Sequence, residues 1–222
     1  MNLTNLTSLN ILRWRKCQIL PSRLSEVSGV AKRLTDPANK ARYQGVSDRL
    51  TELAAINPKY VTVPWWFTAI ASEREYGGPP HWDKQLGQGD PLNAPSRHVP
   101  KGMGPYLPHP NDVTPGHDAW TRCCVDVLTN SAPYAAKWTD WSIGGALTLF
   151  ILYNGIGYEA YHNEPSPYDW GATNIEQRGK YSGDGQFAPN MWDTQIGCAA
   201  MLKAMMDLDP TIRFSDDPTP TN

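Results

Sequence analysis

The sequence predicts a mainly α (α+β) fold: a central buried helix surrounded by other helices, with a long loop or short β-hairpin arm beside a cleft. Three observations predict it. Residues 141–153, WSIGGALTLFILY, are apolar on nearly every face, as in a helix buried all round. Several other stretches carry apolar residues at helical spacing behind recognisable start signals. Between Tyr76 and Asp118, by contrast, fall nine of the 20 prolines and seven of the 18 glycines, which excludes extended helix there.

Taken in order, Leu3, Leu6, Leu9, Ile11 and Leu12 have loose helical spacing, and Pro21 stops that run. Ser22 can cap a second helix that places Leu24, Val27, Val30, Ala31 and Leu34 on one face. Asp36-Pro37 starts a third, reaching about Ala55, with proline in its first turn. After Asn57-Pro58 an apolar helix runs to Glu75 and breaks at Gly77-Gly78-Pro79-Pro80. The Pro-rich arm that follows carries spaced apolar residues and a short hairpin around Ser96–Met103. Helix resumes near Pro115 or Asp118 and runs to about Thr129, ahead of the central helix, which ends at Asn154-Gly155. Residues 158–191 read as a polar, aromatic loop region, and the last helix spans about Trp192 to Leu208. A single domain over residues 1–210 is expected, its first 60 residues helical, with a loose Pro-rich tail over 211–222.

Composition narrows the function. A net charge of −2 and a pI near 6.2 give no electrostatic reason for binding nucleic acid or anionic membrane. Nine Trp and ten Tyr supply flat faces suited to sugar rings, although their ordinary use is in cores and loop anchors. Cys17, Cys123, Cys124 and Cys198 lack CxxC spacing and are expected as buried, reduced thiols. Five histidines lie mostly in loops; His81-x-Asp83 has no HExxH or Cys partner, so no metal and no cofactor are expected. The P-loop and Gly-x-Ser-x-Gly patterns are absent. The N-terminus lacks an unbroken apolar segment with a small-residue cleavage site, so synthesis in the cytoplasm is expected. The run Ile143–Ile156 is too short and Gly-rich to span a bilayer. A monomer that binds neither nucleic acid nor membrane is the expectation.

The chemistry concentrates in residues 61–92, VTVPWWFTAIASEREYGGPPHWDKQLGQGDPL. Glu73 and Glu75 are two residues apart, about 200° around a helix, so both cannot face one cleft. Glu73 shares a flank with Trp66, Ala69 and Ile70, whereas Glu75 shares a strip with Thr68 and Ser72. Periodicity leaves the choice between them open. A Gly-flanked turn then carries Asp90, and a carboxylate on a helix end facing a second one is a way to build a glycosidase.

Further motifs fall in a definite order. Val63-Pro64-Trp65-Trp66 opens a helix that places Glu75 eleven residues after the proline, and Leu86-x-x-Gly89-Asp90-Pro91-Leu92 follows. Leu152-Tyr153-Asn154-Gly155-Ile156-Gly157-Tyr158, Ser166-Pro167-Tyr168-Asp169-Trp170 and Gly179-Lys180-Tyr181 with Asp184-Gly185 come later, and Pro21-x-Arg23-Leu24 earlier. Together they resemble a family of phage and bacterial lysozyme-like peptidoglycan hydrolases over roughly residues 10–205. The Tyr153-Asn154-Gly155 triplet is also similar to a segment of goose-type lysozymes and lytic transglycosylases. Three departures bear on loop geometry and glycan preference: inserted Gly77-Gly78-Pro79-Pro80, glutamines at 85 and 88, and Asp169 in place of an apolar residue.

The resemblance implies a lysozyme-like fold and a glycan-strand hydrolase of the muramidase or endolysin type, acting on the bacterial cell wall. It selects Glu75 as general acid, for which Trp66 and Trp82 are candidate apolar surroundings. Asp90 is the candidate second carboxylate and Asp83 its runner-up; before Pro91, Asp90 also has an ordinary reading as a turn residue. Tyr153 and Asn154 are expected to line the cleft, although Asn-Gly is also a common helix terminator. Tyr168, Trp170 and Tyr181 are candidates for stacking on sugar, Asn174 for a polar sugar contact, and Asp184 for a further carboxylate. The alternatives are a lytic transglycosylase giving anhydro-sugar products, a related polymer such as chitin as substrate, and a non-catalytic glycan-binding or phage structural module of the same fold.

Overall fold

The structure, a computed structural model, describes residues 2–87, 89–92, 118–183 and 185–216. It is mainly helical with one small antiparallel sheet, so the α+β class stands. The helices are α1 (Leu3–Lys16), α2 (Leu24–Thr35), α3 (Pro37–Ile56), α4 (Trp65–Tyr76), α5 (Ala119–Asn130), α6 (Ile143–Asn154), α7 (Pro167–Trp170) and α8 (Cys198–Leu208). Strands β1 (Lys180–Gly183) and β2 (Gln186–Ala188) form a hairpin that pairs Lys180 with Ala188 and Tyr181 with Phe187. The chain divides into two compact units, Met1–Lys32 with Asp140–Asn222, and Arg33–Thr139, so that α2 is shared between them. The expected hairpin around Ser96–Met103 and the carboxylate of Asp184 lie outside the described residues.

The unit built from Arg33–Thr139 is organised by α3, which packs on both α4 and α5. Its start follows from local chemistry: Asp36 accepts from the N–H groups of Ala38 (3.0 Å) and Asn39 (3.4 Å), and Pro37 needs no donor partner in the first turn. Tyr43 reaches from α3 to the Ser72 hydroxyl of α4 at 3.0 Å, and Ser47 donates to the Val63 carbonyl at 2.7 Å. These bonds satisfy polar groups that the contact buries.

Helix α5 begins at Asp118, whose carboxylate accepts from the N–H groups of Trp120 (3.1 Å) and Thr121 (3.3 Å), the Thr121 hydroxyl (2.9 Å) and Arg42 (3.0 Å). Burial opposes ionisation there, but the bonds from Thr121, the Arg42 charge and the Trp120 N–H together hold the carboxyl below its ordinary value of 3.8. A depressed pKa contributes stability that is present above the unfolded value and lost as pH falls through the folded one. Asp118→Ala is therefore expected to remove about 1 kcal/mol of cap stability at neutral pH. It should also flatten the acid limb of a urea midpoint measured against pH; an unchanged limb would show that the cap carries no linked proton.

In the other unit the central helix behaves as its composition predicts: Ile143–Ile151 are all buried. Its main partner is α1. That contact is partly polar, because Asn10 Nδ2 donates to Thr148 Oγ1 at 3.1 Å and the Thr7 hydroxyl lies at the same distance from it. A polar residue on the buried face of α1 explains why its apolar spacing reads loosely.

Two boundaries differ from expectation. The last helix starts at Cys198, six residues after Trp192, because Asp193 accepts from Lys180 (2.8 Å) and from the Gln195 N–H, and Gly197 donates to the Gly171 carbonyl. These bonds hold 192–197 in a non-helical path. The chain from Thr211 to Asp216, expected within a loose tail, folds back instead. Ile212 and Phe214 are buried, Ser215 donates to the Trp141 carbonyl, and Asp216 accepts the Ile143 N–H at 3.1 Å.

Candidate functional site

Helix α4 is buried along most of its length, from Trp65 to Ser72 and again at Arg74. The strip of Thr68 and Ser72 that Glu75 continues is fully buried, with Ser72 bonded to Tyr43 of α3. Only the last turn opens, and the two glutamates there have different fates. Glu73 Oε1 accepts from the Arg33 guanidinium at 2.6 Å, which makes it a paired structural carboxylate. Glu75, half-buried, sits in the final turn before Gly77 ends the helix in a left-handed conformation.

The segment that follows is folded back onto that turn. Gln85 donates its N–H to the Asp90 carbonyl (2.8 Å) and its side-chain amide to the Pro91 carbonyl (3.0 Å), while Leu92 donates to Asp83 (2.7 Å). Lys84 and Pro91 form an isolated antiparallel bridge. Gly89 (φ +67°) sits directly on the helix end: a Cβ there would lie 3.1 Å from both the Glu75 carbonyl oxygen and the Tyr76 Cβ. Glycine is required twice over, for the conformation and for the approach. Asp90, the next residue, is only 4 % exposed. Gly89→Ala should therefore shift the Asp90 loop off the helix end. The expected outcome is at least a tenfold loss of any wall-clearing activity with a thermal midpoint lowered by a few degrees, by analogy with the sensitivity of catalysis to small misplacements. Full activity in that variant would mean that loop placement does not matter.

Beside the same helix end stands an aromatic cluster. Trp82 and Trp120 meet edge-on at 4.8 Å, Tyr43 lies 5.5 Å from Trp82, and the Arg42 guanidinium sits 4.5 Å from the Trp82 ring. Trp120 Nε1 donates to the Tyr76 hydroxyl at 3.0 Å, and burial pushes the hydroxyls of both Tyr76 and Tyr43 well up. Trp82 is thus engaged on its ring by Arg42 and the neighbouring aromatics, a packing role that its position in a polar loop did not reveal.

The remaining candidates lie in the other unit. Asn154 is exposed at the end of α6, and Tyr153 is half-buried there with its hydroxyl enclosed. Two others, Tyr168 and Trp170, are corrected. Trp170 is 0 % exposed and Tyr168 is buried with it, so neither ring offers a face for a sugar; both are core residues of α7. Asn174 is exposed, but its amide is committed to backbone: it donates to the Lys16 carbonyl (3.0 Å) and accepts from the Gln18 N–H (2.8 Å), next to the Ile19–Thr173 bridge. Tyr181 is half-buried on β1 with its hydroxyl 2.9 Å from His162 Nε2.

Sequence reasoning missed a buried ion pair in this unit. Arg13 of α1 donates twice to Glu159, at 2.6 and 3.1 Å, and Glu159 also accepts from the Ser166 N–H. Glu176, nearby in sequence, accepts from the Ala172 N–H at 2.9 Å; burial raises its pKa, against that bond and the Arg23 charge. Among the described residues no group of three or more His, Cys, Asp or Glu side chains is gathered to hold a metal ion, and no helix is long and apolar enough to cross a membrane. Comparisons of the chain with protein-family models, with curated proteins and with solved structures gave no match.

Proposed function

We propose that the chain is a lysozyme-like glycosidase that cleaves the β-1,4 bond between N-acetylmuramic acid and N-acetylglucosamine in peptidoglycan, with Glu75 as general acid. The observation that carries the reading is the helix end itself: Glu75 is half-buried on the last turn of an otherwise buried helix, with the Gly89–Asp90 loop packed against its carbonyl. A rigid helix end suits an acid that must meet a glycosidic oxygen in one geometry. The ordered motifs that resemble lysozyme-like hydrolases support the same assignment.

One observation favours a variant of this reading. A hydrolase of the two-carboxylate type needs its second carboxylate to reach water or the sugar, and Asp90 is almost fully enclosed. That favours attack by the substrate's own groups and an anhydro-sugar product, with Asp90 organising the loop. Mass spectrometry of fragments released from purified peptidoglycan separates the outcomes, since an anhydro product is lighter than a reducing one by one water. Wall binding with no released fragment would replace both with a glycan-binding module.

A further inference from the structure

We propose that Trp120 is a positioning residue for Glu75, acting through Tyr76; the inference rests on the reading of Glu75 as general acid. Every residue involved belongs to the compact unit Arg33–Thr139. The buried indole of α5, 1 % exposed, has two separate parts of the candidate site fastened to it. On one side Trp120 Nε1 donates to the Tyr76 hydroxyl at 3.0 Å, and Tyr76 is the last residue of α4, next to Glu75. On the other side its ring meets Trp82 edge-on at 4.8 Å. The Arg42 guanidinium lies over both rings, 4.5 Å from Trp82 and 5.6 Å from Trp120.

Trp82 opens the segment that carries Asp83 and Asp90, and that segment is closed on itself. Leu92 donates to the Asp83 carbonyl and Gln85 to the Asp90 carbonyl. It rests on the unit at three places. Trp82 lies on Trp120; Gly87 faces Val127 of α5, where a Cβ would be 3.6 Å from Cγ1; and Gly89 abuts Tyr76, where a Cβ would be 3.1 Å from the tyrosine Cβ. Tyr76 therefore stands between Trp120 and Gly89, and the contacts close into a triangle: indole to helix end, helix end to loop, loop back to the indole through Trp82. Helix ends fray unless something beyond the backbone ladder holds them. Here a side-chain hydrogen bond holds the residue that follows Glu75, and the same indole sets where the Asp90 loop lies against it.

Three variants and a control test this. Tyr76→Phe removes the acceptor and keeps the ring, Trp120→Phe removes the donor, and the double variant lacks both. The control, Ser47→Ala, removes a buried bond near the opposite end of α4, where the Ser47 hydroxyl donates to the Val63 carbonyl at 2.7 Å. Tyr76→Phe and Ser47→Ala should lower the urea midpoint by similar amounts, since each loses one buried hydrogen bond. On soluble peptidoglycan fragments Tyr76→Phe should lower kcat about tenfold with KM within about twofold, whereas Ser47→Ala should keep the parent kcat. The double variant should be no slower than Trp120→Phe alone, because both changes act on one bond. Amide exchange at residues 74–77 and 83–87 should quicken together in Tyr76→Phe and keep the parent rate in Ser47→Ala. Equal kcat losses in Tyr76→Phe and Ser47→Ala overturn the proposal and leave Trp120 a core residue. So does an unchanged kcat in Tyr76→Phe of an enzyme that Glu75→Gln inactivates. If Glu75→Gln keeps full activity, the acid reading falls by that result alone; paired quickening at 74–77 and 83–87 in Tyr76→Phe then still supports Trp120 as the anchor of the helix end.

Discussion

Glu75→Gln is expected to lower the rate of wall clearing by roughly a hundredfold to ten-thousandfold, the usual share of a general acid, with the thermal midpoint close to that of the parent. The amide keeps the shape of the side chain and cannot give a proton to the leaving oxygen. The control is its neighbour. Glu73→Gln removes a charge-assisted bond to Arg33, a pair in which the arginine is partly exposed, so about 1 kcal/mol of stability should be lost while activity persists. Turbidity loss of a cell-wall suspension reads the first effect and a urea midpoint the second. The opposite pattern, with Glu73→Gln inactive and Glu75→Gln active, would transfer the acid to Glu73 and undo the assignment drawn from the helix end.

The largest stability effect should come from a pair that has no part in the chemistry. Glu159 has 1 % of its side chain exposed and Arg13 12 %, and the two are joined by a double hydrogen bond. Removing one partner strands a charge where water does not reach. Arg13→Ala should cost about 3–5 kcal/mol, which for a chain of this length corresponds to a midpoint lower by roughly 10 °C. Arg13→Met combined with Glu159→Met should recover much of that loss, since no charge is left buried. If the double variant were as unstable as the single one, packing of the arginine stem against Trp170, whose ring lies 6.0 Å from the guanidinium, would be the larger contribution.

The parts of the fold legible in the sequence are those written locally. Asp36-Pro37, Asp118 and the Gly77 stop mark α3, α5 and the end of α4 within a residue or two, because caps and breakers act over four residues. The buried α6 is visible for the same reason, since its whole circumference is apolar. The start of α8 is not legible because Trp192 and Ile196 keep helical spacing while Asp193 is engaged by Lys180, a partner thirteen residues away. Arg13 and Glu159 are 146 residues apart, and nothing in either neighbourhood announces the other. The hairpin is not legible in the sequence because its strands are four and three residues long, and rings from a preceding turn brace it. In the candidate site, the choice of Glu75 was legible only with the help of the ordered motifs. The burial of Tyr168 and Trp170 was not legible, because a polar aromatic stretch reads as surface until its packing partners are known.

The four thiols have a consequence for how the molecule can be watched. All are buried and none is in a disulfide, and burial raises three of them: Cys17 upward, Cys123 to about 12 and Cys124 well above the ordinary thiol value. A thiol held neutral in a closed interior does not react with alkylating reagents until the surrounding structure opens. Cys17 and Cys198 belong to one compact unit, Cys123 and Cys124 to the other. The native sequence thus carries a pair of clocks, one in each unit, and the order in which they are labelled reports which half of the chain opens first.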